Sequence, residues 1–155
     1  MVGLRQDRRW ISVRQFPLHV VNASSNTRSR AGLLPKHRTF RGLLEAILAS
    51  SVISIYGFYC HAGQSYASTS LDEASQFLSA ELQAVNDAAE IATSVITQMN
   101  TVSSHNTPFV LSVGSTPTAH AAALETKAKI HSSLHGKLEI HAGEGSVDLA
   151  MTNPG

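Results

Sequence analysis

The run Gly114-Ser115-Thr116-Pro117-Thr118 sets a glycine, hydroxyls and a proline directly after an apolar stretch, Phe109–Val113. If that stretch is a strand and Thr116 caps a helix with Pro117 at its first position, free amides and the positive end of the helix dipole converge on one point. That is the chemistry of an anion site, for phosphate above all. An ordinary capped helix start would use the same residues. A second polar run, Cys60-His61-Ala62-Gly63-Gln64-Ser65-Tyr66, follows the β-branched and aromatic residues Ile53–Phe58. His61 with Tyr59 and Tyr66 could line an aromatic or cofactor pocket; the alternative is a core histidine with both ring nitrogens satisfied. A third run, His141-Ala142-Gly143, adds His141 and Gly143 as further convergent groups. His120, His131 and His135 stand at spacings that make no metal motif, and His105 lies in a loop.

These residues need elements to hold them. Arg41–Ala49 reads as a short helix, with Leu43, Leu44, Ile47 and Leu48 on one side. A strand follows at 52–60. Ser70-Leu71-Asp72-Glu73 is a capping box, in which Ser70 accepts from the Glu73 amide and Glu73 returns a bond. The helix it opens runs to about residue 99, with an apolar stripe of Leu71, Ala74, Leu78, Leu82, Val85, Ala89, Ala92, Ile96 and Met99. At 1.5 Å per residue it is about 45 Å long. Asn106-Thr107-Pro108 turns into Phe109–Val113, apolar enough for a parallel strand buried on both faces. A helix over 117–130 and a strand over Lys137–His141 complete the alternation. Strands alternating with helices predict an α/β fold with a parallel sheet, and such sheets carry their sites beyond the carboxyl ends of the strands. All three polar runs fall there.

Composition divides the chain. Residues 1–42 hold nine of the twelve Lys and Arg against one acid; the remainder holds three Lys against ten acids. The overall charge of +1 hides this asymmetry. Residues 1–40, Arg- and Ser-rich and without a clear period, are expected to form an irregular basic leader, and 144–155 an irregular tail. The leader composition is shared by organelle transit peptides, and a basic nucleic-acid arm is another reading. The single cysteine, Cys60, excludes an internal disulfide framework and a Cys-rich zinc module. No stretch reads as a membrane span.

Three motifs, GFYCHAGQSY, LSVGSTPTAH and LHGKLEIHAG, closely resemble the pyridoxal-phosphate-dependent D-serine dehydratases, fungal ones in particular, which are relatives of D-threonine aldolases and of the alanine racemase barrel. The resemblance covers residues 42–143. It implies a partial TIM-type (β/α) barrel over 41–143, with about three parallel strands and long crossover helices. The implied activity is a lyase reaction that takes D-serine to pyruvate and ammonia. The implied cofactor is pyridoxal phosphate, joined to a lysine as a Schiff base, with a zinc ion near the substrate hydroxyl. Gly114, Ser115 and Thr116 would hold the cofactor phosphate, with His141 and Gly143 beside it. Tyr59 and His61 would lie by the ring, and Tyr66 would line the pocket. The resemblance implies a small-molecule D-amino acid substrate and, for the full-length family, a homodimer; a cytoplasmic setting is expected, and neither nucleic acid nor membrane is an expected partner.

The departures concern the chemistry itself. The family's lysine lies in an early barrel strand, and no such strand is legible before residue 42. Lys36 lies outside the resemblance, and Lys127, Lys129 and Lys137 stand at the wrong places for it. The family's zinc ligands, a His and a Cys of a carboxyl-terminal domain, have no counterpart, and Cys60 is not one of them. Glu144 follows Gly143 where a phosphate site disfavours a carboxylate. A complete barrel takes about 200 to 250 residues. The expectation is therefore a fragment of a D-serine dehydratase with open sheet edges, marginal in solubility and inactive as this chain. The alternative is a non-catalytic phosphate-binding or interaction module derived from that barrel.

Overall fold

The computed structural model describes residues 14–19, 32–99, 108–124, 134–142 and 145–147. A five-stranded sheet runs in sequence order, β1 (Arg14–His19), β2 (Ile53–Cys60), β3 (Phe109–Val113), β4 (Gly136–Ala142) and β5 (Gly145–Val147). The first four strands are mutually parallel, and β5 returns antiparallel to β4. Helices α1 (Arg38–Leu48), α2 (Leu71–Gln98) and α3 (Thr116–Leu124) make the crossovers. A short 3-10 segment, Gly63–Ala67, links β2 to α2.

The alternation predicted from the sequence is present, with strands at both ends that it missed. The basic leader contributes β1, paired in parallel with β2. Its register slips between Phe16 and Pro17, where proline lacks the amide a continuous ladder needs. The tail contributes β5, three residues long and too short to show a period. The helix expected to begin at Arg41 begins at Arg38, because His37 caps it by accepting from the Thr39 amide. The continuation of α3 over 125–130 lies outside the described residues.

One face of the sheet carries the core. Phe58, Leu111 and Leu138 stand in register across β2, β3 and β4, followed by the row Cys60, Val113 and Ile140. Both rows are buried against the helices. Phe58 lies between Phe40 of α1, with ring centroids 6.0 Å apart, and Phe109, at 5.2 Å. The buried stripe of α2 is Ala74, Leu78, Glu81, Ala84, Val85, Ala88, Ala89, Ala92 and Val95. It is rotated from the expected one: Leu82 and Ile96 are only half-buried, while Leu71 and Met99 are 55% and 38% exposed. The small side chains Ala84, Ala88 and Ala92 let the helix lie close on the sheet, so close packing rather than the largest side chains sets the buried face.

The other face is polar. Alternate residues, Gly57 and Tyr59 of β2, Val110 and Ser112 of β3, and Lys137, Glu139 and His141 of β4, share it by register. FVLSV is therefore apolar on its helix side and carries Ser112 on the other.

Candidate functional site at the strand ends

Tyr59, His61, Gly114 and His141 meet at the carboxyl ends of β2, β3 and β4. Gly114 has φ +121°, and a Cβ there would lie 2.6 Å from the backbone oxygen of His141. Only glycine lets the chain leave β3 so close to β4. The Gly114 carbonyl is 3.0 Å from Nδ1 of His61, which orients that ring over the β3 end. Tyr59 stacks on His61 at 6.3 Å and meets His141 edge-on at 5.8 Å. Tyr66, 61% exposed, tilts against His61 at 6.0 Å. Nε2 of His141 is 2.5 Å from the Ser112 hydroxyl and 3.1 Å from a Glu139 oxygen. The result is a row of rings, backed by a hydroxyl and a carboxylate, on the polar face of the sheet.

The helix start differs from its expected form. Ser115, not Thr116, is the residue before α3, and Thr116 opens the helix. The Ser115 amide donates to the Thr118 hydroxyl at 2.7 Å, and the Ser115 carbonyl accepts from Ala119 at 2.8 Å. The Ser115 side chain is buried against the hydroxyls of Ser65 and Thr118. It ties the 3-10 segment to the start of α3 instead of pointing outward. Thr116, half-buried, keeps its place in the first turn. A similar shift affects α2: Glu73 accepts from the amide and hydroxyl of Thr69 rather than from Ser70, while Ser70 caps Glu73 as expected. Gly143 lies outside the described residues.

Beneath this site is a carboxylate that the sequence reading passed over. Glu81, 1% exposed, accepts from the Ala62 amide at 2.5 Å through Oε1, while Oε2 has no hydrogen-bond partner. Burial pushes its pKa up to about 7, against the opposing pull of the Ala62 amide, the Thr118 hydroxyl and the Gly114 amide. Burial also raises the Tyr59 phenol, helped by the negative charge of Glu81 and then by Cys60 and Tyr66. The signal was present in the sequence: Glu81 falls at helical spacing between Leu78 and Val85, an acid inside the apolar stripe.

The residues that could hold the phosphate of pyridoxal phosphate are those of the α3 start: Gly114 gives a close backbone approach beside His141, Thr116 stands in the first turn, and the His61 ring meets the Gly114 carbonyl. The cofactor's lysine is another matter. Lys36 is paired with Asp87 of α2 at 3.0 Å, and Lys137 stands at the amino end of β4; Lys127 and Lys129 lie outside the described residues. Among the described residues no group of three or more His, Cys, Asp or Glu could hold a metal ion. No described helix is long and apolar enough to cross a membrane.

No family model matches the chain. The resemblance carried by the three motifs is borne out by two curated relatives. The chain is similar to the D-serine dehydratase of Schizosaccharomyces pombe, 44% identical over 115 residues, and to that of Saccharomyces cerevisiae, 40% identical over 121. Each match takes in 74% of this chain but only 26% and 27% of the relatives, so the chain spans about a quarter of their length. A solved alanine racemase-like protein from Idiomarina loihiensis matches 60% of this chain and 21% of its own, at 28% identity and a TM-score of 0.41.

Proposed function

We propose that this chain supplies the phosphate- and ring-facing segment of a pyridoxal-phosphate-dependent D-serine dehydratase, a lyase converting D-serine to pyruvate and ammonia. The observation that carries the reading is the junction of β3 and α3, where Gly114 and the first turn of α3 open beside His61 and His141. The likeness to the two fungal dehydratases supports it. Parallel strands added one after another at the same edge of the sheet also suit one arc of a (β/α) barrel.

In that segment the α3 start and Thr116 bind the cofactor phosphate through amide and hydroxyl donors. Tyr59 and His61 pack against the ring, and Tyr66 borders the opening. Gly143, two residues after His141 in the sequence, would join the phosphate contacts on the family pattern. His141, held by Ser112 and Glu139, keeps a polar group facing the site. When bound, pyridoxal phosphate supplies an electron-withdrawing ring that stabilises charge at the amino acid's α-carbon. Ser115 acts from below, holding the loop in shape. The described residues offer no ligand set for the zinc implied by the resemblance.

A second reading, phosphate binding without lyase chemistry, is favoured by the placement of Lys36 and Lys137 away from the strand ends. Both are tested by adding pyridoxal phosphate to the purified chain, with and without borohydride, and assaying D-serine for pyruvate. A cofactor absorbance band that inorganic phosphate displaces supports the site, and pyruvate release supports the lyase. Binding without fixation by borohydride or turnover supports the second reading. No cofactor binding at any concentration overturns both.

A further inference from the structure

Glu81 has no role in the function proposed above, yet it is built into the floor of that site. It grips Ala62 after β2 through Oε1, and the Thr118 hydroxyl and the Gly114 amide at the start of α3 act on its carboxyl from the other loop. One side chain thus spans the two loops that shape the anion site, and its Oε2 is buried without a partner. Its neighbours on α2, Phe77, Leu78, Ala84 and Val85, carry no charge. On β2 its charge acts on the Tyr59 phenol, on which Cys60 and Tyr66 also act, and the His61 ring beyond the strand is tied to the Gly114 carbonyl. His141 of β4 lies across Tyr59, and His120 of α3 is exposed. No lysine or arginine is among these groups.

We propose that Glu81 is a positioning residue of the phosphate site, holding the loops after β2 and β3 together and taking up one proton when a doubly charged oxyanion binds at the start of α3. The inference rests on the phosphate-site reading above. Its physical basis is charge. An ionised carboxylate beneath a bound dianion repels it across a medium that screens weakly. A neutral carboxyl removes the repulsion and gains an O–H that can serve its unpartnered side. By reciprocity, whatever raises anion affinity on protonation also raises the proton affinity when the anion binds. A carboxyl pushed up to about 7 is poised to make that exchange near neutral pH.

The test uses the full chain and sulfate, a dianion that does not titrate between pH 5.5 and 8.5. Sulfate affinity is measured by calorimetry at both pH values, in buffers of different ionisation enthalpy, for the wild type and Glu81→Gln. The difference between the two proteins is the readout. Expected is a fall in wild-type affinity of about tenfold or more on raising the pH, with proton uptake on binding, and a smaller fall with less uptake in Glu81→Gln. Equal pH dependence and equal uptake in the two proteins overturn the inference and leave the phosphate reading standing. No sulfate binding by either protein at either pH overturns both. Should Glu81→Gln fail to fold, carbon NMR of the wild-type Glu81 carboxyl decides: its titration must move upward in sulfate, and an unmoved midpoint sinks the proposal.

Discussion

Nε2 of His141 lies 2.5 Å from the Ser112 hydroxyl, a contact made across the β3–β4 pair on the polar face of the sheet. The same nitrogen is 3.1 Å from Glu139, two residues earlier on its own strand. One imidazole nitrogen therefore serves a hydroxyl and a carboxylate together, which fixes the ring without committing it to a triad, since a triad uses both nitrogens. Ser112→Ala removes the cross-strand partner and leaves Glu139. The expected loss of stability is about 1 kcal/mol, the usual net worth of one hydrogen bond, read from the urea unfolding midpoint.

Gly114→Ala forces a side chain into a backbone at φ +121° and into contact with His141. Left-handed strain contributes about 1–2 kcal/mol and the clash adds to it. The anion site should be lost with the geometry of the loop. Gly63→Ala is the control, because a Cβ there meets nothing within 4 Å; its change should stay within about 0.5 kcal/mol. Paired denaturation and sulfate-binding curves check both.

The stability of the chain should depend on pH through Glu81. Its folded pKa, about 7, lies above the ordinary 4.5, so the folded state holds the proton more tightly than the unfolded one. The stabilisation is fully present below the unfolded value and is lost as the pH rises through 7. The loss is on the order of 3 kcal/mol at most. Glu81→Gln keeps an acceptor for Ala62 without the charge. Its stability relative to wild type should rise between pH 4.5 and 8, as followed by denaturant titration across that range; a constant difference would contradict the assignment.

Phe58→Ala opens the centre of the core, where Phe40, Phe58 and Phe109 meet. A cavity of this kind costs about 3–5 kcal/mol, a large fraction of any small domain's stability. Loss of the cooperative thermal transition is the expected result.

Ser70→Ala removes the hydroxyl that caps the Glu73 amide at the head of α2. The expected cost is about 1 kcal/mol. Helical circular dichroism at room temperature should hardly change, while the thermal midpoint falls.

Local pattern alone determined the alternation of strands and helices, because burial on one face imprints a period on each element. Ile53–Phe58 and Phe109–Val113 declared themselves by β-branched and aromatic residues, and α2 by its capping box and stripe. The site's address followed from the alternation, since loops after parallel strands collect at one end of the sheet. The three motifs pointed to the relatives that the chain matches. Tertiary structure decided the rest. Ser115 lies where a phosphate ligand would be sought, yet its hydroxyl meets Ser65, fifty residues away, and turns inward. Glu81 stands among apolar residues of the α2 stripe, but its partners, Ala62 and Thr118, come from segments distant in sequence. Arg14–His19 has no period of its own and becomes a strand because β2 offers it an edge. In each case the deciding partner is distant in sequence, and no local period carries the energy of a contact between remote segments.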